Sequence, residues 1–313
     1  GNIKDIDMGK QIHDKIVTRG LLDQNIILGN GLEDMYTKCG ALAEAQQVLE
    51  NLPVRDVVSW NTLISGYAQE ERGHEALTCF AQMQKEGHSP NEITFICILK
   101  ACGSIGAVDK GKEIHDRIVG GRLLEKNTML GTTVVDMYAK CGMLAKAHNV
   151  LQQLPMRDTV SWNALIAGYA QEGYCDETLN CVKQMELEGF SPNEVTFLCV
   201  LSACSHSGKL DEAQLYYENM SRKHGIPLKP EHHACMVMAF GNAGRFDKAM
   251  SMIKSMPSSE NPSVWLSLLG SCRKWGNIEH GKLAFEHAIQ LVEKDAAPYV
   301  CMFNIYADAD AAI

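Results

Sequence analysis

The 313-residue chain contains no run of about 18 apolar residues, so no segment reads as a membrane span. None of its 12 cysteines forms a C-x-x-C pair, which removes the commonest zinc and dithiol spacings. A P-loop, a glycine-rich dinucleotide turn and a Ser nucleophile elbow are also missing, and with them the usual marks of nucleotide-driven or hydrolytic chemistry. Sustained period-two runs are absent, as are Asn-Gly turns between β-branched segments, so no sheet is expected. Basic residues are in deficit: 29 Lys and Arg against 38 Asp and Glu leave a net charge of −9, which counts against a generic phosphate-binding surface.

What the chain does contain is itself, shifted by 102 residues. KQIHDKIV at Lys10 returns as KEIHDRIV at Lys112, and MYTKCGALAEA at Met35 returns as MYAKCGMLAKA at Met137. VSWNTLISGYAQE at Val58 returns at Val160, and SPNEITF at Ser89 returns as SPNEVTF at Ser191. The prolines keep the same spacing, with Pro53, Pro155 and Pro257 in one series and Pro90 and Pro192 in another. A fixed period implies modules that cannot bury an apolar face alone and must stack on their neighbours.

Each 102-residue unit divides into pieces of about 35, 36 and 31 residues. Each piece reads as two helices. In VVSWNTLISGYAQE the residues Val58, Leu63, Ile64, Tyr67 and Ala68 approach the spacing of one helical face. A turn is expected at Arg72 and Gly73, then a helix carrying Ala76, Leu77, Phe80 and Met83 that stops at Gly87. Ser89, Pro90 and Asn91 break that helix and open the next. The expected fold is all-α, a solenoid of paired helices whose core is a continuous stripe, for which an apolar content of 46% suffices. The first residues already match the interior of a repeat, so a piece of a longer array, without a transit peptide, is expected.

Six cysteines recur as repeat-equivalent pairs, Cys39 with Cys141, Cys97 with Cys199 and Cys102 with Cys204, which suits small apolar residues packed between helices in a reducing compartment. His232, His233 and Cys235 are the nearest approach to a ligand cluster, but no second half completes four-coordination, and they read as helix-face residues.

The succession of VSWNTLISGYAQ, ITFICILKACGSIGAVDKGKEIH and LGTTVVDMYAKCG closely resembles the pentatricopeptide repeat family in its PLS subclass, over nearly the whole chain. On that resemblance residues 1–25 are a partial L-type repeat, 26–56 S-type, 57–91 P-type, 92–127 L-type, 128–158 S-type and 159–193 P-type. Residues 194–229 resemble the final L-type and 230–261 the final S-type repeat; 262–295 look like an E-type module and 296–313 a truncated second one. The implied fold is a right-handed superhelical solenoid of helix-turn-helix, TPR-like repeats.

The resemblance implies binding of single-stranded organellar RNA, about one base per repeat. In the family the fifth and last residues of a repeat read the base edge and the second packs against its face. Here the fifth and last pairs are Asn30 with Asp56, Asn61 with Asn91, Thr132 with Asp158, and Asn163 with Asn193. The second positions are Ile27, Val58, Met129 and Val160. Ile96 with Asn127, Leu198 with Lys229, and Ala234 with Asn261 are expected to be weak readers. Asp56, Asn91, Asp158 and Asn193 stand just before helices and equally suit N-caps, and the two roles can coexist. The recurrence of Asn30, Asn61 and Asn163, in a residue type that forms helices poorly, is read as unnecessary for packing.

By the family's pairing rule the expected footprint is 5′-U-Y-n-G-Y-n-n-3′, Y being a pyrimidine. Of the functions the family carries, the recognition module of a C-to-U RNA editing factor in a mitochondrion or chloroplast is favoured. Intron splicing or transcript stabilisation is the alternative, and a TPR-like protein-binding scaffold the competing class. The deaminase H-x-E and C-x-x-C are absent from residues 1–313, so no catalysis and no cofactor or metal is expected of this chain; a deaminase domain or editing cofactor protein would act through the E-type region.

Overall fold

The computed structural model describes residues 6–22, 25–256, 261–292 and 295–310, with side chains to 308; Pro257 and the tail 311–313 lie outside the described residues. Among the described residues there are helices and turns and no strand. The chain divides into two compact units, residues 1–165 and 166–313.

The first unit holds α1 (Ile6–Thr18), α2 (Ile26–Lys38), α3 (Leu42–Asn51), α4 (Val57–Gln69), α5 (Gly73–Lys85), α6 (Glu92–Ile105), α7 (Val108–Gly120), α8 (Thr128–Lys140), α9 (Leu144–Gln153) and the start of α10 (Thr159–Gln171). Each even-numbered helix from α2 to α8 packs on the odd-numbered helix that follows it, and α2, α4, α6 and α8 pack in succession on one another. This is a helical-repeat solenoid.

The second unit continues with α11 (Cys175–Leu187), α12 (Glu194–His206), α13 (Leu210–Arg222), α14 (Pro230–Asn242), α15 (Phe246–Ser255), α16 (Pro262–Trp275), α17 (Ile278–Leu291) and α18 (Ala297–Asp310). Helices α12, α14, α16 and α18 form its stacked row. No described helix is long and apolar enough to cross a membrane.

Why the chain folds this way is visible in single repeats. In α4 the residues Trp60, Leu63, Ile64 and Tyr67 are buried, spaced to keep one side of the helix inward. Val58 is not part of that core: it is 57% exposed in the first turn of the helix. In α5 the buried residues are Ala76, Cys79, Phe80 and Met83, while Leu77 is half-buried. The turn before α5 also differs from expectation. Its left-handed residue is Glu71 (φ 57°), and Gly73 is the first residue of the helix. A Cβ on Gly73 would stand 2.8 Å from the Ala101 carbonyl oxygen, so glycine is there for close approach to α6. By contrast Gly40 and Gly142 have φ 75° and 73°, the left-handed conformation that ends α2 and α8.

All 12 cysteines are free thiols. Burial pushes Cys79, Cys102 and Cys272 up to about 12, so these sulfurs stay protonated and pack as small apolar groups. Among the described residues no group of three or more His, Cys, Asp or Glu side chains is placed to hold a metal ion.

One core position breaks the pattern. Glu33 in α2 is fully buried, although its counterpart 102 residues on, Val135, is an apolar core residue. Burial, reinforced by the charge of Asp56, pushes the Glu33 carboxyl up to about 9. The folded chain therefore holds a proton there that the unfolded chain releases above its ordinary value of 4.5, and stability falls as pH rises from about 4.5 to about 9. Replacing Glu33 by Leu is expected to remove that slope and to stabilise the chain by roughly 1–3 kcal/mol at pH 8, read from urea unfolding at pH 5 and pH 8. Equal stability changes at both pH values would show that Glu33 does not titrate in this window.

Candidate nucleic-acid interface

The first turn of each even-numbered helix is the part of a repeat with unsatisfied backbone donors, and at α4, α6, α8, α10, α12 and α16 that turn is capped by the side chain just before it, whereas Lys229 before α14 makes no such cap. Asp56 Oδ1 accepts from Ser59 N–H at 2.8 Å, Asn91 Oδ1 from Thr94 N–H at 3.0 Å, and Asp158 Oδ1 from Ser161 N–H at 2.8 Å. Asn127 caps α8 through Leu130 N–H, Asn193 caps α12 through Thr196 N–H, and Asn261 caps α16 through Ser263 N–H. Asp56, Asn91, Asp158 and Asn193, expected from the sequence to read bases, are thus found as caps.

Second and fifth residues of a helix lie three apart and share a face. In the first unit the second positions Ile27, Val58, Met129 and Val160 are all strongly exposed, and so is Ile93 of α6, over a range of 57–78%. In the second unit Val195 of α12 is 51% exposed. Ile93 and Val195 were missed by sequence reasoning, which confined the second position to repeats with a polar fifth residue; the register alone finds them. Glu231 and Ser263 stand at the corresponding places of α14 and α16, where the apolar row stops.

The fifth positions are drawn into the joints between helices. Asn61 is only 6% exposed and Asn163 only 7%. They are packed residues, against the expectation that packing does not need them. Asn61 Nδ2 donates to Asn91 Oδ1 at 3.0 Å, while Asn61 Oδ1 accepts from Thr94 Oγ1 at 2.7 Å. Asn30 Nδ2 approaches Asp56 Oδ1 at 3.5 Å, and its Oδ1 accepts from Ser59 Oγ at 2.8 Å. Partial burial pushes the Asp56 carboxyl up, but the hydrogen bonds from Ser59 and Asn30 outweigh it and hold Asp56 below its usual value.

Thr132 behaves differently. Its hydroxyl oxygen is buried with no hydrogen-bond partner, and Ser161 Oγ donates to the Asp158 carbonyl oxygen at 2.8 Å instead of to a fifth residue. The three weak pairs are placed as follows. Ile96 is half-buried, and Asn127 Nδ2 donates to the Glu92 carboxylate. In the second unit Leu198 is half-buried, and Lys229 is exposed with its Nζ 2.7 Å from Glu194 Oε1. Ala234 is buried, and Asn261 is occupied with Ser263. His232, at the third position of α14, accepts from Lys229 N–H through Nδ1 at 3.1 Å, and burial pulls its pKa down. His233 Nδ1 meets the Tyr217 hydroxyl at 2.7 Å, while Cys235 is half-buried.

The geometry converges on an open groove of about 310 Å³ beside α2, α4 and α6. Asn61 and Asn91 line it together with Val58 and Ile93, and so do Asp34 and Lys38. Exposed aliphatic side chains sharing a groove with paired amide groups suit a flat ring with a polar edge.

Residues 55–104 and 157–206 match the model of the PPR repeat family, and residues 132–158, 195–224 and 234–260 match that of the PPR repeat. The chain belongs to the pentatricopeptide repeat family. The chloroplastic pentatricopeptide repeat-containing protein CRR2 of Arabidopsis thaliana is 40% identical over 96% of this PPR chain and 46% of its own length. The mitochondrial pentatricopeptide repeat-containing protein At1g06140 of the same plant is 37% identical over 99% of the chain and 55% of its own length. This PPR chain therefore spans about half the length of such curated relatives. Its fold is similar to that of the pentatricopeptide repeat protein PPR10 in complex with an 18-nt psaJ RNA element, with a TM-score of 0.78 and 16% identity over 99% of this chain and 46% of PPR10.

The contrast between Thr94 and Thr132 is testable in the folded chain alone. Thr132→Val replaces an unpaired buried hydroxyl by a methyl and is expected to leave stability unchanged or raise it by up to about 1 kcal/mol. Thr94→Val removes a hydroxyl with partners on both sides and is expected to lower stability by about 1–2 kcal/mol. Chemical denaturation of the two variants beside the parent reads the difference directly, and equal losses would mean that Thr132 has a partner after all.

Proposed function

We propose that this PPR chain is a sequence-specific reader of single-stranded RNA, about one base per repeat, and serves as the recognition module of an organellar C-to-U RNA editing factor. The observation that carries the reading is the groove that Asn61, Asn91, Val58 and Ile93 line together. An amide pair there offers donors and acceptors to a pyrimidine edge, and the two aliphatic side chains offer surfaces to its faces. At the Asn30 and Asp56 joint the carboxylate adds an acceptor that the N3–H of uracil can use, which favours U over C.

The resemblance of PPR10, a structure with bound RNA, supports the class of ligand. The printed names of the relatives, chloroplastic and mitochondrial, support an organelle as the place of action. The alternation of S-, P- and L-type repeats from residue 26 to 261 and the E-type modules over 262–313 belong to this proposal, as does the editing role. Residues 1–313 carry no deaminase H-x-E or C-x-x-C, so the chemistry would come from another domain or protein. The stretch from α16 to α18, with Tyr299, Phe303 and Tyr306 exposed, is the surface proposed to recruit it.

The net charge of −9 makes a non-specific polyanion interaction weak and leaves base contacts to decide affinity. The test is binding to 5′-U-Y-n-G-Y-n-n-3′, compared with the same RNA with its G changed to C, at fixed salt, with Thr132→Asn as the third arm. Preference for the G-bearing RNA, shifting toward a pyrimidine in the variant, is expected. Equal binding to all three combinations would set the base-reading assignment aside.

A further inference from the structure

The amide of Asn61 sits in a closed ring of hydrogen bonds whose polarity is fixed by backbone groups that cannot flip. Thr94 N–H donates to the Asn91 side chain at 3.0 Å, so the Asn91 atom at that point is its oxygen. Asn61 turns its nitrogen to that oxygen at 3.0 Å, which directs its own oxygen to Thr94 Oγ1 at 2.7 Å. Thr94 Oγ1 in turn accepts from Asn91 N–H at 3.1 Å, so its single proton points outward. Two acceptors compete for that proton, Asn61 Oδ1 at 2.7 Å and Asn91 Oδ1 at 3.0 Å, and the shorter contact wins. The ring leaves one Asn61 amide hydrogen unused, on a side chain that lines the groove. The same device recurs between α2 and α4. There the Asp56 carboxylate can only accept, Asn30 faces it with nitrogen, and Ser59 Oγ meets the Asn30 oxygen at 2.8 Å.

We infer that Ser59 and Thr94, the third residues of the following repeats, are specificity-determining positioning residues: they hold the amides of Asn30 and Asn61 with an N–H toward the base. This rests on the base-reading assignment above. Neither hydroxyl need touch the RNA, since both residues are fully buried. Their effect is to remove one of the two orientations open to a free asparagine amide. An unheld amide can present either its oxygen or its nitrogen and therefore accommodate either an acceptor or a donor on the base. A held one presents a donor, which the O2 carbonyl shared by C and U satisfies.

The chain contains its own control. Ser161 caps its helix as Ser59 does, but its hydroxyl goes to the Asp158 carbonyl oxygen and does not hold Thr132, which has no partner. Loss of the Ser161 hydroxyl therefore weakens a cap and leaves the reader unchanged.

The experiment measures binding of chain 1–313 to RNAs carrying each of the four bases opposite Asn61, with Thr94→Val, Thr94→Ser, Ser59→Ala and Ser161→Ala. Thr94→Val is expected to lower the pyrimidine-to-purine ratio at that position by about three- to tenfold, the size of one neutral hydrogen bond, with the ratios elsewhere unchanged. Thr94→Ser keeps the hydroxyl and is expected to restore the ratio; Ser59→Ala is expected to act only at the base opposite Asn30. Ser161→Ala is expected to leave the base preference opposite Thr132 unchanged. Circular dichroism at the binding temperature identifies any variant that has unfolded, and Ser59→Ala carries the test if Thr94→Val does so. If the folded variants bind more weakly but keep the parental ratios, the hydroxyls are caps and the inference is overturned. If the parent chain shows no base preference at these positions, the base-reading assignment itself falls, and this inference with it.

Discussion

An α-helix cannot begin inside a packed protein without acceptors for its first backbone N–H groups. In this chain that requirement is met repeatedly by a polar side chain set between one repeat and the next: Asp56, Asn91, Asn127, Asp158, Asn193 and Asn261. Because the even-numbered helices of each unit stack side by side, their capped starts lie along one edge of the stack. Polar groups that cap the helices are thereby gathered where exposed aliphatic residues also stand, at the helix starts themselves.

Much of this was legible in the sequence. The 102-residue self-match, the helix pairs and the absence of strand patterns led to a helical-repeat solenoid, and the register of the caps followed from Asp and Asn before apolar runs. Other features depend on contacts between repeats, which periodicity does not encode. Asn61 and Asn163 were read as unnecessary for packing, yet both are buried. Gly73 looked like a turn residue, yet its role is set by the carbonyl of Ala101 in another helix. Glu33 stands where the repeat calls for an aliphatic residue, and its protonation follows from burial that no local pattern announces. Ile93 and Val195 were open to detection, and only the restriction to polar fifth positions hid them.

The two units differ in how completely they carry the pattern. In the first, amide, carboxylate and hydroxyl side chains meet at the joints of α2 with α4 and α4 with α6. In the second, Lys229 is held by Glu194, His232 replaces the hydroxyl at the third position, and Ala234 leaves the fifth position without a polar group. The apolar row gives way to Glu231 and Ser263 at the same point. On the proposed reading the repeats around Lys229 and Ala234 are the poorer readers, and the C-terminal helices present aromatic surface at Tyr299, Phe303 and Tyr306.

The ring formed by Asn61, Asn91 and Thr94 crosses the boundary at which a repeat is conventionally cut. Residues 57–91 alone would carry both amides into a new host but leave behind the hydroxyl and the backbone N–H that orient them. The smallest portable piece therefore runs from the start of α4 through the first turn of α6, so that neighbouring pieces overlap by one helical turn. On the proposed readout, shuffling repeats within such an array, by recombination or by a designer, transfers a base preference intact only when that overlap travels with it.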